Sequence, residues 1–309
     1  MLKASPHVYT GQELSGNLNT CKFLEKQSND SGYFLTGGSD GIVRLWNCPQ
    51  TQQSPLLLHS FKGGHMLGDI LDVHCNPSGL RIASVGVDKA ISLWDVSTGS
   101  LWGRLHGHEA KVNCCFYHDS TVLLTGSNDG TIRIWDSRSK SNVQVLPRFR
   151  DSISGVFTAD TLIIGSSIDG TIRTFDVRSK QLQTDEVKIP IGSIAKSKHS
   201  NLILASLVHK QASLHLLNFL TGETISKFSG HTNSSLIVSS CFDHEDLRVA
   251  SGSEDGILRI WDLKTQEVVL SINLEHPILG VSHHPFQPFF VGVGLNGLMK
   301  CFSWSFITT

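Results

Sequence analysis

Histidine, a hydroxyl residue and aspartate recur together in this chain, and they are the residue types of a Ser-His-Asp nucleophile system. Gly64-His65 is followed by Asp88 and Trp94, Gly107-His108 by Asp129 and Trp135, and Gly230-His231 by Asp255 and Trp261. A Ser or Thr stands between each histidine and its aspartate, as Thr125 and Ser127 do in the second of these sets. In a hydrolase the hydroxyl attacks, the imidazole takes its proton and the carboxylate orients the imidazole. That chemistry needs one exposed nucleophile, and the GxSxG match Gly37-Gly38-Ser39-Asp40-Gly41 falls in the recurring turn stretch, not at a strand-to-helix elbow that would present it. The same constellation written three times reads instead as architecture, because buried polar groups must find partners. On this reading, losing Asp129 strands its partners at a cost of about 1–3 kcal/mol, and no enzyme activity is expected.

Other chemistry is equally sparse. The fifteen histidines include His283-His284 and the group His199, His209 and His215, but no cysteine at ligand spacing accompanies them. Cys114-Cys115 point to opposite faces if they lie in a strand, which favours packing over redox work. No GxxxxGK[ST] phosphate loop occurs. Neither cofactor nor metal is expected. Seven cysteines without CxxC spacing and a start, MLKASPHVYTGQEL, that does not read as a secretory leader point to reduced thiols. No apolar run is long enough to span a membrane. The chain reads as cytoplasmic and nuclear. A net charge of −1 with 17% charged residues supplies no global field for nucleic acid or an anionic membrane, so such contact would need a local patch.

The elements that carry these residues repeat. GSNDGTIRIWD (126–136) is echoed at 252–262, 166–176, 37–47 and 85–95, and more weakly at 208–218 and 293–303. Trp46, Trp94, Trp135, Phe175, Leu217, Trp261 and Phe302 mark the repeat, at gaps of 48, 41, 40, 42, 44 and 41 residues. That period belongs to four-stranded propeller blades. In the third unit VNCCFYH, TVLLTGS, TIRIWDS and VQVLPRF are β-rich runs, and Asp129-Gly130 suits a tight turn before an inner strand. Seven such units predict an all-β, seven-bladed propeller over 1–309 as one domain. Residues 6–14 belong to no unit, so they are expected to form the outer strand of blade 7 and close the ring.

The Gly-His, Asp and WD (or FD, WN) pattern resembles the WD-repeat family over nearly the whole chain, which implies a seven-bladed WD40 β-propeller. In that family the His, Asp, Ser/Thr and Trp hydrogen-bond inside each blade, which assigns that role to His65, Asp88, Trp94, His108, Asp129, Trp135, His231, Asp255 and Trp261. The family's partner-facing positions lie beside each first strand and just before the turn. Carried over, these are Asp69, Leu71, Lys111 and Asn113, with Ser39, Val87, Asn128, Ile168, Glu254 and Leu295 before the turns. Each is either a partner contact or a solvated rim residue, and apolar Leu71, Val87, Ile168 and Leu295 are the better candidates for a contact patch. WDSR (135–138) and FDVR (175–178) resemble the box that docks some WD-repeat proteins on the cullin-4 ligase adaptor, through Arg138 and Arg178.

Arg138, Lys140, Arg148, Arg150, Arg178, Lys180, Lys188, Lys196 and Lys198 gather between units three and five, interleaved with acids. They read as a mixed solvated face or as a modest RNA or phosphoprotein contact; without an aromatic platform, direct nucleic-acid binding is not expected beyond a weak one. GHEAKVNCCFYHDSTVLLTGSNDGTIRIWDSRS, RDSISGVFTADTLIIGSSIDGTIRTFDVRSKQL and HHPFQP are similar to the mitogen-activated protein kinase organizer (WD repeat-containing protein 83) family. This resemblance implies a scaffold for protein partners, splicing factors or kinase-cascade components, monomeric on its own. The alternative is a cullin-4 substrate receptor. The departures are Val208-His209-Lys210-Gln211, where a turn aspartate is expected, and the long connection CPQTQQSP (48–55).

Overall fold

The computed structural model describes residues 4–10, 14, 16–25, 31–49, 54–65, 68–210 and 213–306. Seven four-stranded antiparallel sheets follow one another along the chain. Blade 3 shows why. Its strands Val112–Tyr117, Val122–Ser127, Ile132–Asp136 and Ser141–Val145 pair in chain order. GSNDGTIRIWD is the hairpin between the second and third of these, in register from Val122 opposite Asp136 to Gly126 opposite Ile132. Gly130 takes the turn with φ of 75°, a conformation that costs glycine nothing and a branched residue a great deal.

Each residue at the Trp position packs into the preceding blade. Trp135 lies among Ala83, Val85, Ile91 and Leu93 of blade 2, and Trp94 among Leu35, Val43 and Phe61 of blade 1. Leu217 does the same against Phe157, Ile164 and Ile172 of blade 4, so aliphatic bulk serves where the aromatic ring is missing. The core is therefore a ring of seven inter-blade layers, and four of them bury a tryptophan completely. Burying each such side chain contributes about 1.5–3 kcal/mol.

The first strands, Leu18–Phe23, Ile70–Cys75, Val112–Tyr117, Ile153–Ala159, Ile191–Lys196, Ser240–Phe242 and Ile278–His283, stand around the centre. Closure is made by Ala4–Thr10, which pairs antiparallel with Met299–Phe306 from Ala4 opposite Phe306 to Thr10 opposite Lys300. It is the outer strand of blade 7, as the unassigned N-terminal segment requires. The strand begins two residues before the expected span, and positions 11–13 of that span lie outside the described residues. No described helix is long and apolar enough to cross a membrane.

Candidate interaction rims and channel

The histidines settle into the blades they open. In blade 3, His108 Nδ1 donates to Asp129 at 2.8 Å, the Thr125 hydroxyl donates to Nε2 at 2.8 Å, and Trp135 Nε1 donates to the same hydroxyl oxygen at 2.8 Å. Blade 2 repeats this with His65, Asp88, Ser84 and Trp94, at 3.0, 2.8 and 2.8 Å. The hydroxyls of Ser84 and Thr125 are fully buried, so no substrate reaches them as nucleophiles. Burial raises the Asp129 carboxyl, but hydrogen bonds from Thr131, His108 and the Glu109 amide outweigh it and bring it down to about 2.

Blade 6 departs from the expected network. Its Trp261 Nε1 donates to the Ser229 carbonyl, Asp255 pairs with Arg259 at 2.8 Å, and neither His231 nitrogen has a hydrogen-bond partner. Burial and the Arg259 charge, against the opposing pull of Asp255, hold His231 down to about 4, so it is a neutral ring packed edge-on to Trp261. The cause is the entry to the blade. Its first strand is only Ser240–Phe242, and the preceding loop is long. In blade 4, where the Gly-His pair is missing, the Arg150 amide reaches Asp169 at 3.1 Å instead.

The positions before the turns share one rim and one backbone bond. The amides of Ser39, Val87, Asn128, Ile168 and Leu295 donate to the carbonyls of Asn17, Asp69, Lys111, Ser152 and Pro277, each just ahead of a first strand. Glu254 donates to Thr232 instead, again because of the long blade 6 loop. Several of these side chains already work internally. Ser39 Oγ accepts the Asn17 amide, and Asn113 Nδ2 donates to Asn128 Oδ1 and to the Ile153 carbonyl. The Glu254 carboxylate gathers the amides of Ser234, Ser235 and Leu236 at 2.7–2.8 Å plus two serine hydroxyls, so it is a loop clamp. Those bonds outweigh burial and bring it down to about 2. Lys111 is exposed, and Asp69 is half-buried like the apolar Leu71, Val87, Ile168 and Leu295, of which Leu71 also lines the channel.

Arg138 and Arg178 stand on the opposite rim, in the turns before the outer strands of blades 3 and 4. The Arg138 guanidinium folds onto Asp136 at 3.0 Å and its side chain is 71% exposed; Arg178 donates its amide to Asp176. The basic group between units three and five is thereby divided. Arg148, Arg150 and Lys188 belong to the first rim, whereas Arg138, Lys140, Arg178, Lys180, Lys196 and Lys198 belong to the second. A single basic face is not formed. At the degenerate fifth unit, His209 bridges to Asn233 of the blade 6 loop, whose Nδ2 donates to the Leu207 carbonyl, so this departure ties two blades together.

Between the rims runs a channel of about 670 Å³. Asp72 stands in its wall and joins three blades, accepting from Thr20 Oγ1 of blade 1, from its neighbour Val73 and from the Cys115 amide of blade 3. Burial raises its carboxyl above the usual range. The sequence reading passed over Asp72, Lys22 and His74. The signal was there: Asp72 pairs opposite Val85 as Thr20, Cys114, Gly155, Ser193 and Gly280 pair in their blades, and it is the only charged residue among them. The seven cysteines are free thiols, and the described residues contain no His, Cys, Asp and Glu cluster able to hold a metal.

The model of the WD domain, G-beta repeat matches residues 5–47, 56–95, 99–136 and 222–262, more than half of the chain. The unmatched stretches hold the units with Phe175, Leu217 and Phe302 at the Trp position. The chain is 28% identical to the WD repeat domain-containing protein 83 homolog of Dictyostelium discoideum, over 90% of this chain and 91% of that protein. It is 37% identical to a WD repeat-containing protein of Schizosaccharomyces pombe, over 88% and 91% respectively. A shorter likeness, 32% over 42% of this chain and 35% of the relative, is to the U5 small nuclear ribonucleoprotein 40 kDa protein of D. discoideum. With seven closed blades and buried His-Asp-Trp networks in two of them, the chain belongs to the WD40-repeat family.

Proposed function

We propose that this WD40 protein is a non-enzymatic scaffold that assembles multiprotein complexes, associated with the spliceosome, with mitogen-activated kinase modules, or with both, in cytoplasm and nucleus. The observation that carries this reading is the similarity, over 90% of this chain, to the WD repeat domain-containing protein 83 homolog of D. discoideum. The partial likeness to a U5 ribonucleoprotein component favours the splicing side. Physically, a closed ring with two separate rims holds partners at fixed spacing and raises their effective concentration without chemistry of its own. Leu71, Val87, Ile168 and Leu295 are the contact patch in this reading. Purification of the tagged full chain from its native cells, with and without RNase, tests it by mass spectrometry. Splicing factors that survive RNase, or kinases of the cascade, are the expected companions; the absence of both classes rejects the scaffold reading in this form.

A second reading is a substrate receptor for a cullin-4 ligase. Arg138 and Arg178 favour it by standing in equivalent turns of neighbouring blades on one rim. Replacing both with alanine should then remove the ligase adaptor from the purified complex, and unchanged capture excludes this reading.

A further inference from the structure

Three of the seven cysteines meet in a single layer of the core, and it is the layer at which the ring closes. Cys21 and Cys48 lie on the first and third strands of blade 1, and Cys301 lies on the third strand of blade 7. All three pack with Trp46, Val291 and Met299 between these two blades, and all three are buried. The Cys48 and Cys301 thiols hydrogen-bond directly to each other across the seam. Cys301 stands opposite Val291, whose carbonyl accepts the Cys21 thiol at 3.6 Å, so that third thiol is already engaged. The remaining cysteines are dispersed. Cys75, Cys115 and Cys114 each lie in a different layer, and Cys241 packs against the layer between blades 6 and 7.

The seam itself is unlike the others. Blades 1 to 6 are each built from four consecutive strands, and the chain then runs on into the next blade. Blade 7 takes its outer strand from the opposite end of the chain, so its hold on blade 1 rests on strand pairing and on this layer. A covalent bond between residues 48 and 301 would enclose most of the chain, and long closed loops restrict the unfolded chain most.

We propose that Cys48 and Cys301 are a modification site, oxidised by hydrogen peroxide to a disulfide that locks the closed ring. One thiolate attacks a peroxide oxygen, which breaks the O–O bond and leaves a sulfenic acid and, after protonation, water. The second thiolate attacks that sulfur, forms the S–S bond and expels the oxygen, which leaves as a second water. Two thiols and one peroxide thus give one disulfide and two waters, with two electrons passing from sulfur to oxygen. Burial pushes the Cys301 thiol well above its ordinary pKa, so reaction belongs to transient openings of the seam. The product is then sealed from small thiol reductants, which makes the pair a slow latch. This chemistry is independent of which partners the rims hold.

The test treats the purified full chain with hydrogen peroxide, alkylates the remaining thiols in denaturant and maps the peptides by mass spectrometry without reduction. A peptide pair joined through Cys48 and Cys301 is expected, with the loss of two hydrogens from the intact chain. The oxidised protein should melt roughly five degrees or more above the reduced one. Dithiothreitol should reverse both changes in denaturant and far more slowly in the folded protein. Cys48→Ala should form no link to Cys301 and gain no melting temperature from peroxide, whereas Cys241→Ala should respond as the parent does. If Cys48→Ala fails to fold, the peptide map of the parent decides alone. Thiols at 48 and 301 that survive peroxide, a bond from Cys21 to either of them, or sulfinic acid at Cys301 in place of the disulfide overturns the proposal. A Cys48–Cys301 bond that leaves the melting temperature unchanged overturns its locking role.

Discussion

His108 and His231 occupy the same place in their blades and have opposite surroundings. His108 satisfies Asp129 and Thr125, whereas His231 is buried without a hydrogen-bond partner. Replacing one member of a buried network leaves the others desolvated and unpaired, whereas replacing an already unpaired ring removes only that ring's own desolvation cost. His108→Phe should therefore destabilise the protein by about 1–3 kcal/mol in chemical denaturation. His231→Phe should lie within about 1 kcal/mol of the parent or above it. Equal losses at the two sites would show that position alone, and not hydrogen bonding, sets the cost. Acid should act on His231 as well. Its folded pKa, about 4, is below the ordinary value near 6.5, so the stability it confers is complete above about 6.5 and is lost as pH falls toward 4. The His231→Phe variant should lose less stability than the parent across that window.

Among the elements, the blade 6 loop is gathered by a single side chain. Residues 234–236 present three consecutive amides to the Glu254 carboxylate, and no strand pairing holds them otherwise. Glu254→Ala should accelerate amide exchange at Ser234, Ser235 and Leu236 by at least about tenfold while blade 3 amides exchange as before. Unchanged exchange in this loop would mean that Glu254 is dispensable as a clamp. The sequence pattern places Glu254 correctly before its turn and says nothing of this work. The reason is range: the carboxylate acts on residues 18–20 positions earlier, nearly half a blade, brought back by the long entry to a shortened strand.

Closure belongs to the molecule as a whole. Ala4–Thr10 covers the edge of Met299–Phe306, and without it blade 7 exposes a row of unpaired backbone groups. Deleting residues 1–10 should lower the melting temperature by roughly ten degrees or more. A deletion variant that melts with the parent would leave the N-terminal strand as an ornament on a ring closed by other contacts. By itself the sequence determined the seven units, their strand order, the turn at Asp129-Gly130 and the blade networks at His65 and His108. All of these are written within one repeat, where spacing alone brings the partners together. Only the tertiary structure decided what depends on contact between blades or on the irregular entry to blade 6. It left His231 without its aspartate, split the basic residues of units three to five between two rims, and turned Glu254 inward. It also set Asp72, Lys22 and His74 around one channel. Their neighbours come from other units, 40 or more residues away in some cases, and no period within a single unit encodes which of them will meet.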